Sequence, residues 1–192
     1  YKEYLVQGEY QIAYSMLHQN YRMYTPYQDY EKLMSERDNS KLKVASIKRV
    51  TQTTYHVATN VSGEDFTIIL NQDESKFSLL PESFLDYGTP NRSSKNKNLQ
   101  CTLKNYLVKV NETTFRMELK NNSKEDMHIT KGTLNTNLDD VIENTFDITI
   151  PAKQSKEVLI SFDTYYAFPS KLILYRENGN KADIEYTFKI EK

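Results

Sequence analysis

The chain has 192 residues and a mass of 22.5 kDa, with 25 basic and 26 acidic side chains and 38% hydrophobic residues. Collagen-like, low-complexity and mostly disordered chains are excluded, because 15 Tyr, 8 Phe and only 5 Gly and 5 Pro describe a chain with a core. A net charge of -1 gives no electrostatic reason to expect nucleic acid as a partner.

No run of residues approaches the ~18 apolar positions that a membrane-spanning helix needs. The first residues hold no basic segment followed by an apolar one, so we expect any signal peptide or membrane anchor to lie outside this fragment. Cys101 is the only cysteine, which rules out an intrachain disulfide and leaves the redox compartment open. Its strand-like surroundings predict a buried or half-buried thiol.

The first 30 residues hold eight of the 15 tyrosines and have helical spacing. Gly8 ends a first short helix. The apolar stripe of a second helix consists of Tyr10, Ala13, Tyr14, Leu17 and Tyr21. Thr25-Pro26, with Gln28 after it, predicts the start of a third helix that ends near Arg37.

After residue 40 the apolar period changes to about 2, which is typical of half-buried strands. Three strands are predicted over 44–50, 55–61 and 66–70, with turns at 62–65 and 71–76 and further strand residues from Phe77 to Leu80. Helices followed by an antiparallel meander indicate an α+β domain over residues 1–87, with a curled, cone-like sheet over the helices.

Residues 88–98 have almost no apolar side chains, carry three basic and no acidic groups, and are predicted to be a linker. It is either simply solvated or in weak contact with an anionic membrane or wall polymer. Seven strands are predicted after it, near 101–110, 113–120, 127–130, 145–150, 156–162, 172–176 and 184–190. Their alternation indicates an all-β sandwich of immunoglobulin size over residues 99–192. Residues 137–142 fit either a short helix or a loop.

Two segments of the first half resemble a known family. Gly8-Glu9-Tyr10-Gln11-Ile12-Ala13-Tyr14 and Thr25-Pro26-Tyr27-Gln28-Asp29-Tyr30 are similar to the helices of nuclear transport factor two-like domains in Gram-positive envelope proteins. Phe115 to Ser123 and Ile150 to Val158 resemble, more weakly, bacterial immunoglobulin-like envelope domains. The resemblance implies an extracytoplasmic protein, at the cell surface or membrane-anchored, without catalytic activity.

The residues needed for catalysis do not form a recognisable set. His18, His56 and His128 are isolated, and the metal-binding and phosphate-binding motifs are missing, so we predict no catalytic residue, no metal and no cofactor. Some enzymes with the nuclear transport factor two-like fold transfer protons through a Tyr and carboxylates. Tyr14 with Asp65 or Glu64 would be the corresponding set, although the spacing of Tyr14 favours a place in the core.

These observations favour a non-enzymatic binding or assembly module whose partner is a protein or another component of the cell envelope. The alternative is a small-ligand carrier or sensor. Its cavity is expected between the helices and the sheet of the first domain, near Tyr14, Leu17, Tyr55 and Phe66. A cone-type isomerase or hydrolase is a third hypothesis. No oligomeric state is predicted.

Overall fold

The computed structural model describes residues 1–60, 65–70, 77–81, 83–176 and 184–187. The fold is mostly antiparallel sheet with a few short helices, which confirms the expectation of a sheet-rich chain with its helices at the start. Contacts divide the chain into two compact units, Tyr1–Tyr87 and Gly88–Lys192. No helix in the described ranges has the length and apolar character required to cross a bilayer.

The first unit begins with short helices. They are α1 (Lys2–Val6), α2 (Tyr10–Ser15), α3 (Gln19–Tyr24) and α4 (Tyr27–Ser35), followed by a 3₁₀ turn at Asn39–Lys41. Gly8 separates α1 from α2 with a φ of 77°, a left-handed conformation that favours glycine. Tyr30 and Met34 are the buried residues of α4.

The predicted second helix over Tyr10 to Tyr21 is wrong in one respect, because the structure divides it between α2 and α3. Leu17 forms a parallel bridge with Leu79, and the backbone N–H of His18 donates to the Leu79 carbonyl at 3.1 Å. The His18 ring then accepts from the Asn20 N–H at 3.2 Å and caps α3. Pairing with a distant strand thus outweighs the local helical period.

The sheet of the first unit is an antiparallel meander in the order β1-β2-β3-β4. Its strands are β1 (Val44–Arg49), β2 (Thr54–Thr59), β3 (Phe66–Leu70) and β4 (Phe77–Pro81), and β5 (Phe84–Gly88) follows. Strands β1 to β4 lie where the alternating pattern predicts them, whereas no strand is predicted at the position of β5. The predicted turns at 62–65 and 71–76 lie outside the described residues, except for Asp65. All six residues of β1 are exposed, and β1 lies at one edge of the sheet.

The second unit contains two antiparallel sheets. Its strands are β6 (Arg92–Asn96), β7 (Leu99–Lys109), β8 (Glu112–Asn121), β9 (Met127–Thr136), β10 (Val141–Ile150), β11 (Ser155–Asp163), β12 (Pro169–Arg176) and β13 (Ile184–Thr187). One sheet has the order β10-β9-β12-β13, and the other contains β11, β8 and β7 in that order. A strand occurs at each of the seven predicted positions, although residues 188–190 of the last one lie outside the described residues. Residues 137–140 form a turn before β10 rather than a helix.

Residues 88–98, predicted to be a linker, contain β6, which pairs antiparallel with β7 and places Ser94 opposite Cys101. A strand at this position needs no apolar side chains, because its backbone bonds to β7 and its polar groups remain partly exposed. Ser93 and Thr102 add a hydroxyl–hydroxyl hydrogen bond of 2.7 Å. Lack of apolar residues is therefore a poor guide to a linker here.

Side chains from both sheets form one hydrophobic core within the second unit. Phe115, Met117 and Leu119 alternate along β8 and are fully buried, as their period predicts. Cys101 on β7 is buried in the same core.

Candidate functional site

An apolar cavity of about 210 Å³ opens on the first unit. Its walls come from the start of α1, the segment before β1, and strands β1 to β4. The lining residues are Tyr1, Lys2, Leu42, Val44, Val57, Thr59, Phe66, Ile68 and Leu79. Lys2 is the one charged side chain among them, so hydrocarbon and aromatic groups make up most of the surface.

The strand register explains why these side chains meet. Val57 pairs with Phe66 across β2 and β3, and Ile68 pairs with Leu79 across β3 and β4. Residues two apart on a strand point to the same face, so Thr59 and Ile68 extend the surface begun by Val57 and Phe66. On β1, Val44 pairs with Thr59 next to a register shift.

Tyr1 and Phe66 form one wall of the cavity, with ring centroids 5.6 Å apart in an edge-to-face arrangement. The Tyr1 hydroxyl lies 2.8 Å from the Tyr30 hydroxyl. Burial raises the pKa of Tyr1 strongly and that of Tyr30 to about 12, so both phenols are neutral at physiological pH. This wall therefore presents neutral aromatic rings to a ligand.

A second cavity of about 10 Å³ shares Tyr1, Leu42 and Phe66 with the larger one. Its other lining residues include Arg37 and Asn39. The volume is close to the minimum for one water molecule, so this space does not suit an organic ligand.

Of the four residues predicted to form a cavity, Phe66 lines the larger one and the other three do not. Leu17 is buried in its bridge to Leu79. Tyr55 lies beside Arg49, whose guanidinium carbon is 5.9 Å from the ring centre. The Tyr14 hydroxyl donates to the carbonyls of Arg22 and Thr25, at 2.9 and 2.8 Å.

Sequence reasoning missed most of the lining residues, although the signal was present. Val57 and Thr59 follow Tyr55 at intervals of two, and Ile68 follows Phe66 in the same way. Following the face of Tyr55 along β2 and the face of Phe66 along β3 would have identified Val57, Thr59 and Ile68 as lining residues. Tyr1, Lys2 and Leu42 could not be found this way, because their position depends on how α1 and the 3₁₀ turn pack.

The groups considered for proton transfer belong to separate networks. Asp65 accepts from the Thr59 N–H at 2.9 Å and lies 3.3 Å from the His56 Nε2 atom. The Tyr14 hydroxyl bonds to carbonyls in the helical region instead, and burial raises the pKa of Tyr14. Glu64 lies outside the described residues. Among the described residues, Tyr14 and Asp65 are thus not brought together at the cavity.

The remaining histidines have structural contacts. His18 caps α3, and burial lowers the pKa of His18 below its usual range, although nearby Asp86 opposes this. His128 bonds through its Nδ1 atom to the Thr149 hydroxyl at 3.1 Å. Among the described parts of the chain, no three His, Cys, Asp or Glu side chains cluster as a metal site requires.

Comparison with family models and with curated sequences gives no relative from which a function could be transferred. No protein-family model matches the chain. No curated protein sequence matches it at a significant level. The cavity and the surfaces of the two units are therefore the features that indicate a function.

Proposed function

We propose that the chain is a non-enzymatic binding and assembly module that works outside the cytoplasmic membrane of a Gram-positive bacterium. The α+β unit would be of the nuclear transport factor two-like type, and the two-sheet unit of the immunoglobulin-like type. The proposal is supported by the helix motifs around Tyr14 and Tyr30 and by the two-sheet core of the second unit.

The apolar cavity is the single observation that most favours binding over catalysis. Its described lining residues offer area for hydrophobic contact and include one charged side chain, Lys2, while catalysis needs convergent polar groups. This favours, as a second candidate function, a carrier or sensor for a small apolar ligand. The two functions are compatible, because a carried group can also attach the module to a larger envelope component.

The cavity volume sets the size of the ligand. Since an apolar cavity of about 150 Å³ takes benzene, about 210 Å³ suits a group of roughly eight carbons. Burying that many methylene groups yields about 6 kcal/mol before the costs of association. Association costs of about 4 kcal/mol or more leave only weak binding, so dissociation constants in the millimolar range or above are expected for simple probes such as 1-octanol.

The test of this site uses 1-octanol and naphthalene as probes, with binding measured by calorimetry and by thermal shift. Ile68→Trp fills the cavity and should weaken binding by about tenfold or more, because the indole takes the volume of the ligand. Ile69→Trp is the matched control, since Ile69 is the next residue of β3 and does not line the cavity. Failure of the wild-type chain to bind either probe, or equal binding by both variants, would contradict the carrier function.

The proposed location has a separate test. Exposed lysines of the chain should react with a membrane-impermeant amine reagent on intact cells of the producing organism, and a cytoplasmic marker should not. Labelling that requires cell lysis would contradict an extracytoplasmic module.

A further inference from the structure

Strand β1 is an unusual edge strand. It pairs with β2 on one side, and in the described part of the first sheet it has no strand partner on the other. Every one of its residues is exposed, and Val44 and Ile47 are each 62% exposed. An edge strand offers backbone N–H and C=O groups that can pair with another extended segment.

The segment from Lys41 to the end of β1 carries charge of one sign. Between Lys41 and Arg49 the chain carries four basic residues and no acidic one. Two of them have contacts nearby, because Lys41 pairs with Asp38 at 2.9 Å and Arg49 donates to the carbonyls of Thr51 and Gln52. Lys43 and Lys48 extend this charge along the edge.

We propose that β1 is a docking edge for an extended, acidic segment of a partner protein, which adds a strand to the first sheet and covers Val44 and Ile47. The partner's backbone would supply pairing, its alternate apolar residues would cover the two exposed side chains, and its carboxylates would face Lys43 and Lys48. Six residues of β1 accommodate about 20 Å of extended chain.

Charge argues against a second copy of the chain as the occupant. Two β1 strands side by side would bring together the basic residues of both copies without an acidic residue in either segment. Like charges in such a ribbon repel one another, whereas an acidic strand would be attracted.

The docking edge shares Val44 with the wall of the apolar cavity, but backbone pairing and charge, not the cavity volume, hold the partner strand. Ligand binding in the cavity and strand docking on β1 can therefore fail separately. The first probe is a capped fluorescent peptide of about ten residues in which Glu alternates with Val and Thr. We expect the full chain to bind it, with affinity falling by about tenfold or more between low and high salt. Hydrogen exchange should slow at residues 44–49 when the peptide is bound.

Two sets of controls decide whether charge and backbone pairing carry the binding. Lys43→Glu with Lys48→Glu should weaken binding by about tenfold or more, while Lys120→Glu with Lys124→Glu, with the same change in net charge, should have little effect. Two peptides methylated on alternate backbone nitrogens should differ, because only one set of N–H groups of an added strand faces β1.

Several results would overturn the proposal. The acidic peptide would fail to bind, or a peptide with Lys in place of Glu would bind equally well. Bound peptide would slow hydrogen exchange elsewhere but not at residues 44–49, or the chain would self-associate through β1. Should the double variant fold poorly, the salt dependence and exchange data on the wild-type chain still decide the outcome. If the chain binds the acidic peptide but not 1-octanol, the ligand cavity is rejected and the docking edge is retained.

Discussion

The tyrosines near the start of the chain have different environments. Tyr21 and Tyr30 are almost fully buried, whereas Tyr4 and Tyr24 are 37% and 44% exposed. The ring of Tyr24 packs against Phe84 at 5.6 Å, so exposure does not exclude a structural contact. Core packing thus accounts for part of the tyrosine-rich pattern only.

Removing the Tyr30 hydroxyl should destabilise the first unit. Tyr30→Phe leaves the Tyr1 hydroxyl without its 2.8 Å partner, and we expect the free energy of unfolding to fall by about 1 kcal/mol. Tyr27→Phe is the control and should have a smaller effect, since its bond to Glu31 lies at the surface. Urea denaturation followed by tyrosine fluorescence measures both, and equal losses would contradict the role given to the Tyr1–Tyr30 pair.

Among the elements, strands were predicted better than helix boundaries. The alternation of Phe115, Met117 and Leu119 is local to β8 and is visible in the sequence. The break between α2 and α3 depends on the bridge from Leu17 to Leu79, a contact between distant residues that no local period contains. For the same reason Phe66 was found among the lining residues and Tyr1 was not.

The cap of α3 gives the first unit a dependence on pH. Burial lowers the pKa of His18, so the folded state binds a proton less readily than the unfolded state, whose value is about 6.5. The contribution of His18 to the free energy of unfolding is complete above about pH 6.5. It is lost as the pH falls through the lower pKa that His18 has in the folded state.

His18→Asn should flatten this dependence, because Asn keeps a side-chain oxygen that can cap α3 and does not titrate. Urea denaturation of wild type and variant between about pH 7.5 and about pH 5 measures the difference. Parallel pH profiles for the two proteins would show that His18 is not the responsible group.

For the whole molecule, the division into two units predicts local effects of core mutations. Phe115 is fully buried in the core of the second unit, and Phe115→Ala should cost about 3 to 5 kcal/mol. Leu159→Ala is the control on β11, where the side chain is 70% exposed, and should cost less than about 0.5 kcal/mol.

Hydrogen exchange measured along the chain shows where the stability is lost. In Phe115→Ala we expect faster exchange in β7 and β8, while α2 and α4 keep their protection, because those helices belong to the other unit. An equal increase in both units would mean that they unfold together.

The position of Cys101 provides a natural reporter. It is the only thiol of the chain, and its side chain has no exposed area on β7. A thiol-reactive dye should therefore label an engineered surface cysteine selectively in the native protein, without replacement of Cys101. The rate at which a disulfide reagent modifies Cys101 itself would measure how often the hydrophobic core of the second unit opens.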